Sequence, residues 1–326
     1  MMTGNPPRHF ANKRGYIYML SILGYSSEDR ILIIQADDLG RSAEANEAAF
    51  ELLESGAATS ASLITVAEHS LAAAKRAAAG QAASIGIHLT LTGGYRPRSA
   101  PDRVPTLLDH GRFLDSVSQL EKQADPYEVR HELANQIEWA LKQGLQPTHL
   151  DSHQGSVLGL FTGNDFLDVV FDLCDTYELP FLLPRNIVQQ SFLTQDQRRR
   201  FEYMIHEAGE RNIALIDDLL PDAYGLEEAE TYESYREGIV RALAELKPGI
   251  TQWTLHPERL SAPASLRKHQ VKREMEYRIA ADPVVREALA REGITLLSWQ
   301  PLQQWQHEQA AAASRRSGRG KILRFG

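Results

Sequence analysis

Short apolar runs alternate with stretches of helical periodicity along most of the chain. The runs fall at 31–36, 59–66, 85–91, 148–152, 181–183, 213–216, 250–255 and 294–299. The first, Ile31-Leu32-Ile33-Ile34, is apolar at every position, as in a strand covered on both faces of a parallel sheet. Helical patterns over 43–55, 68–79, 126–143, 165–177, 195–211, 232–246 and 265–291 separate the runs. Ser42 is placed to cap the first of these helices and Gly56 to stop it. Pro126 opens the third and Gly144 closes it, and Pro283 breaks the last. Strict alternation over about 285 residues predicts an α/β fold with a parallel sheet. Eight such units suit a (β/α) barrel. The alternative is a doubly wound open sheet, but the first strand–helix turn lacks the G-x-G-x-x-G phosphate cradle.

One stretch breaks the rhythm. Residues 93–125 are polar and proline-containing, too long for an ordinary connection, and are expected to form a lid or a subunit contact. The ends also differ from the middle. Residues 1–24 read as an N-terminal extension, flexible over 1–14, and 25–305 as a single catalytic domain. The apolar stretch 15–24 follows Arg8, Lys13 and Arg14 in the manner of a signal peptide. Tyr16, Tyr18 and Ser21 interrupt it and no small-x-small cleavage site follows, while Met19 offers an alternative start. Residues 306–326 are alanine-rich, then basic at Arg315, Arg316, Arg319, Lys321 and Arg324, and read as a disordered tail.

Charge and composition narrow the function. A formal net charge of -8 over 326 residues gives no basic surface for nucleic acid. No apolar run approaches the roughly 20 residues that span a membrane. The single cysteine, Cys174, excludes an intrachain disulfide and a Cys-ligated zinc site, and it sits in a helical apolar pattern as a small hydrophobe. These features fit a cytoplasmic protein and leave room for a homodimer.

The candidate chemistry lies at the ends of the runs. The first ends in Asp37 and Asp38, the third carries His88, the fourth Asp151 and His153, and the seventh ends at His256. In a barrel these strand ends converge on one mouth. A carboxylate with two imidazoles forms a facial divalent-metal site that leaves positions open for water and substrate. Side chains alternate along a strand, so one of Asp37 and Asp38 can bind metal while the other stays free as a base. Asp151 shares a face with His153 and can orient a ligand. His149 lies deeper on that face and reads as structural. Such a set suits hydrolysis of an ester or amide. Asp217-Asp218 read first as structural, Arg185 as a weaker substrate contact, and Arg267, Lys268, Arg273 and Arg278 as a solvated helical face. Trp253, Trp299 and Trp305 read as packing rather than as sugar platforms. No Gly-x-Ser-x-Gly elbow is present, which disfavours a serine hydrolase.

Together these motifs resemble a known family. Residues 33–40, Ile-Ile-Gln-Ala-Asp-Asp-Leu-Gly, with Asn46-Glu47 and Thr59-Ser60-Ala61-Ser62-Leu63, are similar to the start of YdjC-like carbohydrate deacetylases. Gly86-Ile87-His88-Leu89-Thr90-Leu91-Thr92, Thr148-His149-Leu150-Asp151-Ser152-His153 and Leu255-His256-Pro257 resemble its later motifs. The resemblance spans roughly 25–302. It implies an irregular (β/α) barrel of the glycoside hydrolase/deacetylase type that removes acetyl groups from N-acetylated sugars such as chitooligosaccharides. It implies Asp37 as base, Asp38, His88 and His153 as ligands to a divalent metal, Mg2+ or else Zn2+, and His256 as general acid. One departure stands out. Many members continue the third motif with further histidines, whereas Gln154-Gly155-Ser156-Val157 follow His153 here, so the preferred sugar does not carry over. Two other readings of the same residues are a metal-dependent hydrolase of a phosphoester or non-sugar amide, and a silent carbohydrate-binding protein.

Overall fold

The computed structural model describes residues 9–80, 84–221, 230–260 and 268–316. The first apolar run is the centre of its sheet. Strand β1 (Arg30–Leu39) is buried from Ile31 onward. The other strands of the sheet are β2 (Ser60–Leu63), β3 (Ser84–Leu89), β4 (Leu150–Ser152), β5 (Asp218–Leu219) and β6 (Gly249–Leu255). Their order is β4-β3-β2-β1-β6-β5, and every pairing is parallel. Single-residue bridges join Leu150 to Phe181 and Pro184 to Ile216, between the two edges. The sheet is a curled, open half-barrel surrounded by helices, an irregular form of the (β/α) barrel that the alternation predicts.

Three expected strands are reduced. The run at 181–183 contributes only the Phe181 bridge. Pro180 and Pro184 flank it, and proline offers no N–H to a ladder. The run at 213–216 contributes one bridge at Ile216, and its strand, β5, begins only at Asp218. The eighth run is the two-residue strand β7 (Thr295–Leu296), which pairs with β1 at Ile31 and Leu32. β2 pairs with β1 further along, from Gln35, so β7 does not complete a ring.

Alternation along β1 divides the core. Leu32, Ile34 and Ala36 join the large cluster formed with the surrounding helices. Ile31 and Ile33 join a second cluster with Met19, Leu20, Ile250 and Trp299. Above them on the same face, Gln35 bonds His149 and Asp37 reaches Ser62. That face therefore grades from apolar to ionisable toward the strand ends.

The surrounding pieces follow local rules. Ser42 caps helix Ala43–Glu54 by accepting the Ala45 N–H at 3.0 Å. Residues 93–125 are ordered rather than an open loop. They form turns at Pro101–Arg103 and Pro105–Leu107, a hairpin of Leu108–Asp109 with Arg112–Phe113, and helix Val117–Gln123. Val104, Leu107, Phe113 and Leu114 enter the main core, and buried Glu132 accepts the backbone N–H groups of Arg98 and Ser99. The N-terminal extension is helical over His9–Ile22, because Met19 and Leu20 find a buried surface. The C-terminal stretch expected to be disordered from 306 is instead a helix, Trp299–Arg316, in which Gln306 accepts the Ala214 N–H at 3.0 Å. Expectations for 1–8, 265–267 and 317–326 fall outside the described residues. Among the described residues no helix is long and apolar enough to cross a membrane.

The interior is tight around His149. Its ring stacks on Trp299 at 4.8 Å and 16°, and its nitrogens meet Gln35 and Thr148. Burial drives the imidazole down to about 4, so it is neutral and structural. A Cβ at Gly86 would lie 2.5 Å from the His149 ring, which Trp299 prevents from retreating. Gly86→Ala is therefore expected to cost about 1–3 kcal/mol through overpacking. Thermal melting checks this, and an unchanged midpoint would show that the ring can move.

Candidate metal centre

The end of β1 is built around an unusual backbone. Asp38 has φ 63°, a left-handed conformation that aspartate tolerates better than most residues. Gly40 follows at φ 94°, where a Cβ would meet the Ile64 carbonyl at 3.0 Å. Its N–H donates to Asn46 Oδ1 at 2.6 Å, tying the turn to the following helix.

The Asp38 carboxylate is buried and divided between two tasks. Oδ2 accepts from Arg273 Nη2 at 2.6 Å. Oδ1 makes no hydrogen bond, although it lies 3.3 Å from His153 Nδ1 and 3.7 Å from His88 Nε2. A buried carboxylate oxygen without a donor, facing two imidazole nitrogens, suits a cation. Ligand atoms of Asp38, His88 and His153 all lie within 4.8 Å of one another, and so do those of Asp37, His88 and Asp151. The hydrogen bonds separate these two sets. His88 Nδ1 lies 2.8 Å from Asp151 Oδ1 and 3.2 Å from the Ser62 hydroxyl. With its Nδ1–H donating to Asp151, His88 turns Nε2 toward Asp38 and His153, where a bound cation would take the place of the Nε2 proton.

Asp37 faces a different set of groups. It accepts from the Ser62 hydroxyl at 2.9 Å and lines an open cavity. Burial, then the negative charge of Asp151, pushes its carboxyl up to about 7, against the pull of His88 and His256. Burial also opposes ionisation of Asp38, yet His153, Arg273 and His256 hold that carboxyl well below the usual range. Burial would lower His88, but Asp151, Asp37 and Asp38 lift it to about 10. His153 is lowered, because burial outweighs Asp38. His256 is raised against its burial by Glu276, Asp38 and Asp37. Its Nδ1 lies 3.5 Å from Glu276 Oε2, and its backbone N–H donates to the same oxygen.

The cavity holds about 650 Å3 and contains Asp37, His88, His153 and His256 in its wall. Asp115, Ser116, Val117 and Ser118, from the end of the 93–125 stretch, form part of its rim. Gln154 lines it too, and its Oε1 accepts from the Thr92 hydroxyl.

The structure thus gathers all five site residues expected from the sequence. It also adds two that the sequence reading missed. Arg273 and Glu276 lie on helix Lys268–Ala280 and are buried against the strand ends. Arg273 is not part of a solvated face, and neither is Lys272, which is buried over the Tyr235 ring. A charged run with three-residue spacing between a basic and an acidic group was the available signal. Arg185 and Asp217 are occupied with each other and with Tyr16. Trp253 and Trp299 are fully buried, and Trp305 nearly so, as packing residues.

The family model for YdjC-like proteins matches residues 31–291. The chain belongs to this family. Within it, a carbohydrate deacetylase of Thermus thermophilus is 30% identical over 269 residues, covering 80% of this chain and 90% of that one. A carbohydrate deacetylase of Thermoanaerobacter pseudethanolicus is 24% identical over 276 residues, covering 83% and 98%. The fold is also that of a crystal structure from Enterococcus faecalis V583, with a TM-score of 0.68 and 24% identity over 84% of this chain and 99% of the other. The matched span of this YdjC-like chain contains Asp37, Asp38, His88, His153 and His256, and it contains the Arg273–Glu276 helix as well.

Proposed function

We propose that the protein is a divalent-metal-dependent deacetylase of N-acetylated sugars or oligosaccharides. The observation that carries this reading is the unpartnered Asp38 Oδ1 facing His88 and His153 beside an open cavity. The names of the relatives supply the substrate class. Asp38, His88 and His153 hold the ion. When bound, a divalent cation polarises the acetyl carbonyl and lowers the pKa of water.

The chain's own residues do the proton work. Asp37 takes a proton from the attacking water as its oxygen bonds to the acetyl carbon. His256, held by Glu276, gives a proton to the sugar nitrogen as the C–N bond breaks, leaving acetate and a free amine. Asp151 fixes the tautomer of His88, and Arg273 holds the orientation of Asp38. The phosphoester alternative loses ground, because no lysine or arginine is among the described residues lining the cavity.

Two imidazoles and one carboxylate suit zinc or a similar transition ion better than magnesium, which favours an all-oxygen shell. The test is acetate release from N-acetylated mono- and oligosaccharides by metal-stripped protein refilled separately with Mg2+, Zn2+, Mn2+ or Co2+. Zinc or cobalt is expected to restore more activity than magnesium at equal free concentration. Best recovery with magnesium would overturn the metal preference. No release with any ion bound at the site would overturn the deacetylase reading.

A further inference from the structure

A second hollow adjoins the catalytic cavity at Phe161. Phe161 lines it and also lines a neighbouring hollow of about 890 Å3, which Phe192 lines as well. Both rings are exposed, at 66% and 64%. A single exposed phenylalanine on a surface means little, but Phe161 sits on a firmly held loop. Buried Glu121 accepts the backbone N–H groups of Phe161 at 3.3 Å and Thr162 at 2.6 Å, and the Thr162 hydroxyl at 2.7 Å. The Asn164 side chain donates to the Glu121 carbonyl, and Gln197 donates to the carbonyls of Gly159 and Leu160. The loop is thus tied from helix Val117–Gln123 on one side and helix Gln195–Arg211 on the other. A loop backbone held in place before anything binds lowers the ordering cost of presenting its exposed ring. Lys122, Asn164 and Asp196 add polar groups to the same hollow. Aromatic faces with polar neighbours match a sugar ring, whose C–H face packs on a π surface while its hydroxyls hydrogen-bond.

We propose that the hollow between Phe161 and Phe192 is an outer subsite for the sugar units of an oligosaccharide beyond the one that loses its acetyl group. Phe161, at the junction, packs on the unit next to the reacting one, and Phe192 on a more distant unit. This rests on the deacetylase reading above. The substrate it favours is an oligosaccharide rather than a monosaccharide.

The test is a chain-length series of chitooligosaccharides from one to five units, with wild type, Phe161→Ala and Phe192→Ala. Both side chains are surface-exposed, so the variants are expected to fold normally, as thermal melting would show. Wild-type kcat/KM should rise with length. Each variant should lose about 2- to 10-fold on the longer substrates, the scale of one aromatic contact, and little on the monosaccharide. Equal losses at every length, or no loss at any, would overturn the subsite. If no acetate is released by wild type, calorimetric binding of the pentamer decides separately. Binding weakened by Phe161→Ala supports the subsite even though the deacetylase reading has failed, and no binding overturns both. A shift from dimer to monomer in sedimentation of the variants, with oligosaccharide kinetics unchanged, would assign the two rings to a contact between copies instead.

Discussion

Asp37→Asn is expected to lower acetate release by about 10²–10⁴-fold, the usual contribution of a positioned general base. Metal content should stay unchanged. Asparagine keeps the side-chain shape and an oxygen that can accept from Ser62, so the hydrogen bond seen at 2.9 Å has a replacement. What it loses is the capacity to take a proton. The pH profile sharpens the test. Asp37 acts only when ionised, so kcat/KM should rise with pH through its pKa. Burial and Asp151 push that value up to about 7 from 3.8. A cation held by neighbouring Asp38 pulls it down again, so the acid limb is expected between those two limits. In Asp37→Asn this limb should vanish. Near-normal turnover, or an acid limb identical in the variant, would remove Asp37 from the role of base.

The second large effect is on metal binding, and the choice of substitution matters. Asp38→Ala would strip the partner from buried Arg273, at a cost of about 3–5 kcal/mol for an uncompensated charge. Loss of metal in that variant could then mean only loss of fold. Asp38→Asn is the better probe. Asparagine accepts the left-handed φ of 63° and can still take a hydrogen bond from Arg273. It removes the negative charge between the two imidazoles. Metal affinity is expected to fall by more than about 100-fold, since even groups outside the ligand shell contribute roughly 10–100-fold. Equilibrium dialysis with elemental detection reads this directly, and far-ultraviolet circular dichroism checks the fold. Full metal occupancy in Asp38→Asn would make the other cluster, Asp37, His88 and Asp151, the metal site.

The site was legible in the sequence wherever a residue ends a strong apolar run. Asp37, Asp38, His153 and His256 stand at or just past such ends and His88 one residue before the end of its strand, and parallel α/β topology brings strand ends together. The neutral role of His149 could be read from the same alternation, two positions deeper than Asp151. Arg273 and Glu276 were not legible for the opposite reason. They come from a charged helix whose polar residues look alike whether they face water or the mouth of a barrel. Nothing in the local spacing says that Asp38, 235 positions away, is waiting for one of them. Strand lengths were misread where proline limits the ladder, at Pro180 and Pro184. The order within the 93–125 stretch was not legible because its buried anchors, Val104, Leu107, Phe113 and Leu114, are spread among polar and proline residues.

Helix Lys268–Ala280 presents Arg273 to Asp38 and Glu276 to His256 from one face, three positions apart. The carboxylate and the imidazole, carried on the ends of the paired strands β1 and β6, are thus both braced from one helix, whose residues rise about 1.5 Å each. The loops around the mouth are free to lengthen, shorten or change composition during divergence while the reacting groups keep their separation. Substitutions at Gln154, at Asp115–Ser118 or along the Phe161 loop would then change the shape of the cavity without moving the ionisable groups in its wall.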